Sequence, residues 1–119
     1  MNVNFNELSP LQVYQTMTQT LVPRPIAWVL SENKNNSLNL APFSYFNAVS
    51  SDPPVLMISV GKRDDGSAKD TRINIEARKK FVIHIASALQ IDAVNASSAT
   101  LPNEHSEVSE LKLETTEFA

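Results

Sequence analysis

Cysteine is absent from this chain, which excludes disulfides, iron–sulfur clusters, thiolate zinc sites and any cysteine nucleophile. Glycine occurs twice, at Gly61 and Gly66, too sparsely for a P-loop or for the glycine fingerprint of a dinucleotide-binding turn. Histidine is equally scarce. His84 falls inside an apolar run and His105 in a polar stretch, and neither has an orienting partner nearby in the chain, so each reads as packed or solvated rather than catalytic. No catalytic side chain and no metal site are expected. The longest apolar runs, "PIAWVL" and "PPVLMISV", fall far short of the roughly 20 residues that span a bilayer. The N-terminal "MNVNFNELSP" has neither a basic region nor an apolar stretch of the kind that targets a chain for export. A net charge of −3 offers no basic footprint, which argues against nucleic acid as a partner. These exclusions point to a soluble, cytoplasmic protein that acts on neither membrane nor nucleic acid.

What is present suits one folded domain covering residues 1–119. Hydrophobic residues make up 42% and charged residues 19%, an ordinary globular balance. A chain of this length buries roughly two-thirds of its unfolded surface. Ser9 and Pro10 read as N-cap and first helical residue, and Leu11, Tyr14, Met17 and Leu21 follow at spacings of three and four, which predicts a helix over about 10–20. "PIAWVLS" reads as a buried strand that pairs, through the asparagine-rich turn "SENKNNS", with a second strand starting near Leu38. Pro54–Val60 and Phe81–Ser87 are two further strands, separated by the polar loop "GKRDDGSAKD" and a helix near 70–79. "ALQIDAVNA" and "SEVSELKL" have helical spacing. Strands dominate the middle and helices the margins.

The acids of the middle and end of the chain, Asp64, Asp65, Glu104, Glu107 and Glu110, lie in polar surroundings of the sort that form a solvated face. The chemically distinctive stretch is "NLAPFSYFNAVSSDPP", rich in hydroxyls, amides and aromatic rings but poor in acids and bases. With the cations and hydroxyls of "GKRDDGSAKDTRINI", it suits a planar, anionic ligand that brings its own reactivity, polar groups answering a heteroaromatic edge and Ser, Thr and Lys answering a phosphate. The residues alone leave a second reading open, in which "APFSYF" is an alternating strand whose rings pack the core.

Four ordered blocks, "VPRPIAWVLS", "NLAPFSYFNAVSSDPPVLMISVG", "KDTRINIEARKKFVIHI" and "NASSA", resemble the flavin reductase-like family of FMN-binding split-barrel proteins over about residues 20–113. The resemblance implies a mainly β fold, an antiparallel Greek-key split barrel with peripheral helices. It implies FMN as cofactor at or near a homodimer interface, and electron transfer from NAD(P)H to flavin or a flavin-linked acceptor. Carried onto matching positions, the flavin-contacting strand falls on Pro42, Phe43, Ser44, Tyr45, Phe46 and Asn47. The phosphate hydroxyls fall on Ser50 and Ser51, while Lys69, Asp70 and Thr71 close over the ribityl-phosphate end, with Arg24 a further contact. Family members run on past the block resembling "SEVSELKLETTEFA", so the resemblance also implies a chain lacking its C-terminal strands. The competing functional reading is a flavin-binding or dimerisation module without turnover.

Overall fold

The computed structural model describes residues 2–117. Helix α1 spans Pro10–Thr20 and begins as the sequence predicts: the Ser9 hydroxyl accepts from Gln12 N–H, and the Gln12 side chain accepts in return from Ser9 N–H at 2.9 Å. Strand β1 (Ala27–Glu32) turns back into β2 (Leu38–Phe43) in antiparallel register, Ala27 opposite Phe43 and Glu32 opposite Leu38. The turn between them places Asn36 at φ 65°, the left-handed conformation that asparagine tolerates, and the Asn35 side chain accepts from Ser37 N–H. Strand β5 (Val82–His84) pairs with the other edge of β1, giving a three-stranded antiparallel sheet in the order β2-β1-β5.

A separate two-stranded sheet is formed by β3 (Phe46–Ser51) and β4 (Pro54–Ile58), with a bulge at Val49. This corrects the expectation of one flavin-contacting strand over Pro42–Asn47. The chain bends at Ser44 and Tyr45, and its two halves join different sheets. The physical reason lies in the two phenylalanines. Positions three apart on a continuous strand point to opposite faces, whereas the bend lets Phe43 and Phe46 enter the same apolar cluster with Ala27, Val29 and Ile58. The expected strand over Phe81–Ser87 shortens to three residues, matching the three positions of β1 it pairs with.

Helix α2 (Asp70–Arg78) packs across the β1–β2 hairpin and ends at Lys79 in the left-handed conformation. A short 3-10 turn at Ala88–Gln90 leads into α3 (Ile91–Ala96), and α4 (Glu107–Glu110) lies against β2. The second apolar cluster, Trp28, Leu40, Val94 and Val108, joins these last helices to the sheet. Among the described residues the strands form these two open antiparallel sheets and no closed barrel.

Candidate functional site

The end of β2, the start of α2 and the segment after α3 converge on a cavity of about 440 Å³. Pro42 and Phe43 come from the strand, Lys69, Asp70 and Thr71 from the helix start, and Ser97, Ser98 and Thr100 from the segment after α3. Lys62 and Arg63 enter from the loop after β4, and Glu107 from α4.

Each wall is held by identifiable contacts. Thr71 is almost wholly buried, and its hydroxyl accepts from Asn39 Nδ2 at 3.0 Å. Asn39 also donates to Ser31, and Asn74 of α2 donates to Ser31 and to Asn33, so a buried polar network fixes α2 on the hairpin. Arg78 adds a donor to Asn33 O at 2.9 Å from the far end of the helix. Such networks are rigid when each member is satisfied. Ser97 is committed to structure: it accepts from Trp28 Nε1 at 2.8 Å and donates to Val94 O. Glu107 accepts from Leu40 N–H at 2.9 Å, which ties α4 to β2.

The electrostatics are mixed. Arg63 pairs with Asp70 at 3.1 Å, and Asp65 is occupied by Ser67, whose hydroxyl and N–H hold its carboxyl below the ordinary carboxylate range. Burial pushes the Glu107 carboxyl above its ordinary value, against the opposing Leu40 N–H, with the neighbouring Asp70 charge adding to the rise. Among the described residues Lys62 and Lys69 take part in no ion pair. Lys69 Nζ lies 5.8 Å from the centroid of the Phe43 ring. Lys69 is also the N-cap of α2 and offers that end no side-chain cap, which leaves first-turn amides available to an acceptor.

The positions carried over from the resemblance divide between two places. Pro42, Phe43, Lys69, Asp70 and Thr71 line the cavity together. Ser44 is exposed at the bend, Asn47, Ser50 and Ser51 are exposed on β3, and Phe46 packs in the cluster around Phe43. Arg24 donates to Thr18 O and Leu21 O at the end of α1, and its guanidinium lies 5.6 Å from the centre of the Tyr45 ring. Among the described residues Arg24 Nε and the Tyr45 hydroxyl are buried without a hydrogen-bond partner. His84 packs edge-on to Trp28 at the open edge of β5, away from the cavity.

Asn39 and Glu107 are lining positions that escape a reading of the residues alone. Asn39 opens the distinctive stretch yet looks like any polar strand residue. Lys62 and Arg63 belong to the loop whose cations the sequence already sets against an anionic ligand, and both line the cavity. Glu107 lies in an acidic run, and the only sign of its burial is Leu40, 67 residues away.

The sequence profile described as "Flavin reductase like domain" matches residues 18–119. An uncharacterized protein of Halalkalibacterium halodurans is 41% identical over 108 residues, a match covering 91% of this chain and 52% of that protein. Among solved structures, nitrilotriacetate monooxygenase component B from Bacillus cereus superposes with a TM-score of 0.93 at 37% identity, covering 100% of this chain and 58% of the other. A Shewanella frigidimarina protein described as having a split barrel domain superposes with a TM-score of 0.77, over 99% of this chain and 60% of that one; at 14% identity this shows the fold alone. The chain thus spans about half the length of the relatives it matches. Extending over all but the first 17 residues, the profile match shows that the chain belongs to the flavin reductase like domain family.

Proposed function

We propose that the chain binds FMN in this cavity and serves as the cofactor-holding part of an oxidoreductase that passes electrons from NAD(P)H to flavin or a flavin-linked acceptor. The observation that carries the reading is the joint placement of Lys69, with no ion-pair partner among the described residues, beside the Thr71 hydroxyl and the uncapped start of α2. A cation, a hydroxyl and helix-terminal amides form a donor set for a phosphate. The cavity volume lies within the range of small-molecule sites. Phe43 and Pro42 supply an apolar wall of the kind a flat ring needs, so the residues present fit the cofactor.

Bound flavin would supply the hydride and electron chemistry, which explains how a site without a nucleophile and base pair can belong to an oxidoreductase. The chain's own part is positional. Lys69, Asp70 and Thr71 hold the phosphate end, Arg63 restrains Asp70, and the buried network keeps α2 from moving. In this reading the exposed Ser44, Asn47, Ser50 and Ser51 belong to a second wall supplied across a two-fold interface, while Phe46 backs Phe43 from within the cluster and Arg24 braces Tyr45. Cytoplasmic residence stays part of the proposal; no helix among the described residues is long and apolar enough to cross a membrane.

Titration of flavin fluorescence with the purified protein tests the cofactor, and NADH and NADPH oxidation with FMN or FAD tests turnover. FMN binding near one per chain is expected. Fluorescence unchanged at protein concentrations well above micromolar would end the reading, whereas binding without NAD(P)H oxidation would leave a flavin-binding module.

A further inference from the structure

Among the described residues four carboxylates line the cavity proposed for an anion: Asp64, Asp65, Asp70 and Glu107. Asp70 and Glu107 are buried, so solvent and salt screen them least. Glu107 accepts from Leu40 N–H, and burial favours its neutral form. Asp70 stands in the first turn of α2, where a carboxylate is drawn to the positive end of the helix, the same groups a phosphate would use. Arg63 is what answers it. Its Nη2 donates to Asp70 Oδ2 at 3.1 Å and its Nη1 to Leu101 O at 3.2 Å, so the guanidinium spans from the helix start to the segment after α3. The backbone of Arg63 is fixed as well: its N–H donates to Ser67 O and its carbonyl accepts from Gly66 N–H, both at 2.9 Å, in a tight turn that places Gly66 at φ 82°. Lys62 and Lys69 are exposed, whereas Arg63 is anchored at both ends.

We infer that Arg63 is a positioning residue that sets specificity for an anion: by holding and neutralising the Asp70 carboxylate it keeps the start of α2 open to a phosphate, and it needs no contact with the ligand. This deepens the FMN reading above and rests on it. Asp70 then serves the phosphate end through its main-chain N–H, with its side chain turned to Arg63. Without the guanidinium a buried carboxylate stands against the phosphate, and like charges in a site shielded from water repel strongly. Riboflavin has no phosphate and is indifferent to that charge. The rival role is direct contact, since Arg63 Nε is left without a hydrogen-bond partner among the described residues. The two roles part on what a change at Asp70 does.

The test measures dissociation constants for FMN and riboflavin on wild type, Arg63→Gln, Asp70→Asn and the double variant. Arg63→Gln keeps a donor and removes the charge; it is expected to weaken FMN about tenfold, the scale of one carboxylate left unanswered in a ligand cavity, and to change riboflavin by less than about twofold. Asp70→Asn should bind FMN at least as tightly as wild type. The double variant should return to within about threefold of wild type, because the charges are balanced again. A double variant as weak as Arg63→Gln would make Arg63 a direct ligand of the phosphate and overturn the positioning role. Losses shared equally by riboflavin would overturn it too, leaving a strut for the fold, as would an Arg63→Gln that binds FMN as wild type does. If Arg63→Gln does not fold, the double variant, which leaves neither charge of the pair buried alone, is set against wild type directly: FMN affinity within about threefold upholds the role, and a loss of about tenfold overturns it. A wild type that binds neither flavin would sink the FMN reading itself, while one that binds both equally would remove the phosphate end and this inference together.

Discussion

Two charged residues in the cavity carry separate predictions. If Lys69 meets a phosphate, Lys69→Ala should cost FMN roughly 1.5–3 kcal/mol, the scale of a charge-assisted hydrogen bond, against roughly 1 kcal/mol for Thr71→Ala. Riboflavin, with the same ring and no phosphate, should bind both variants nearly as it binds wild type; equal losses for the two ligands would return the loop to ordinary surface. Glu107 makes a prediction about stability instead. Its carboxyl is raised by burial, so the folded state holds the proton more tightly than the unfolded chain does. The group's stabilising contribution is therefore complete below the ordinary value of 4.5 and is lost as pH rises through the higher folded value. Glutamine keeps an acceptor for Leu40 N–H and removes the titration. Melting of Glu107→Gln and wild type should accordingly diverge in favour of the variant as pH rises from 4 to 7, and a constant difference across that interval would show that Glu107 is not desolvated as described.

At the level of elements, local chemistry was legible where neighbours in sequence decide the outcome. Ser9, Pro10 and Gln12 specify the start of α1, and Asn36 specifies the hairpin turn, because each acts within four residues of itself. The bend at Ser44 and Tyr45 was not legible. It depends on Phe43 and Phe46 sharing a cluster with Ala27 and Ile58, contacts made far along the chain. The cavity divides along the same line: "KDT" stands out as a helix start carrying a cation and a hydroxyl, while Asn39 and Glu107 gain their roles only from partners 32 and 67 residues away. Helix α1 is legible in outline and unexpected in setting, since none of its residues is buried. Its cap should therefore matter locally. Ser9→Ala should cost the helix about 1 kcal/mol, speeding hydrogen exchange over residues 10–20 while the main melting transition barely moves. A large fall in the global midpoint would mean that α1 is tied to the core more firmly than its exposure suggests.

The exposed apolar surface sets the question for the whole molecule. Along α1, Leu11, Tyr14 and Leu21 form a stripe at helical spacing that this chain leaves more than half exposed. The β3–β4 hairpin carries Val49, Leu56 and Met57, each also at least half exposed. A two-stranded hairpin is marginal in water unless something packs on it, and exposed apolar surface of this extent marks an interaction face. A second copy is the simplest cover for such a face, because a two-fold interface lets one patch meet its own counterpart. It would also give the exposed Ser50 and Ser51 a place near a partner's cavity. Met57 is the residue to change, since it packs on neither apolar cluster and its loss should spare the fold. Sedimentation of wild type is expected to show a dimer, and Met57→Asp should shift it toward monomer by placing a charge where the interface is desolvated. If the flavin site needs both copies, FMN affinity should fall with the dimer fraction and recover at protein concentrations that restore it. A wild type that stays monomeric at every accessible concentration would end the shared-site proposal, and FMN binding that ignores the association state would confine the site to one chain's cavity around Lys69 and Thr71.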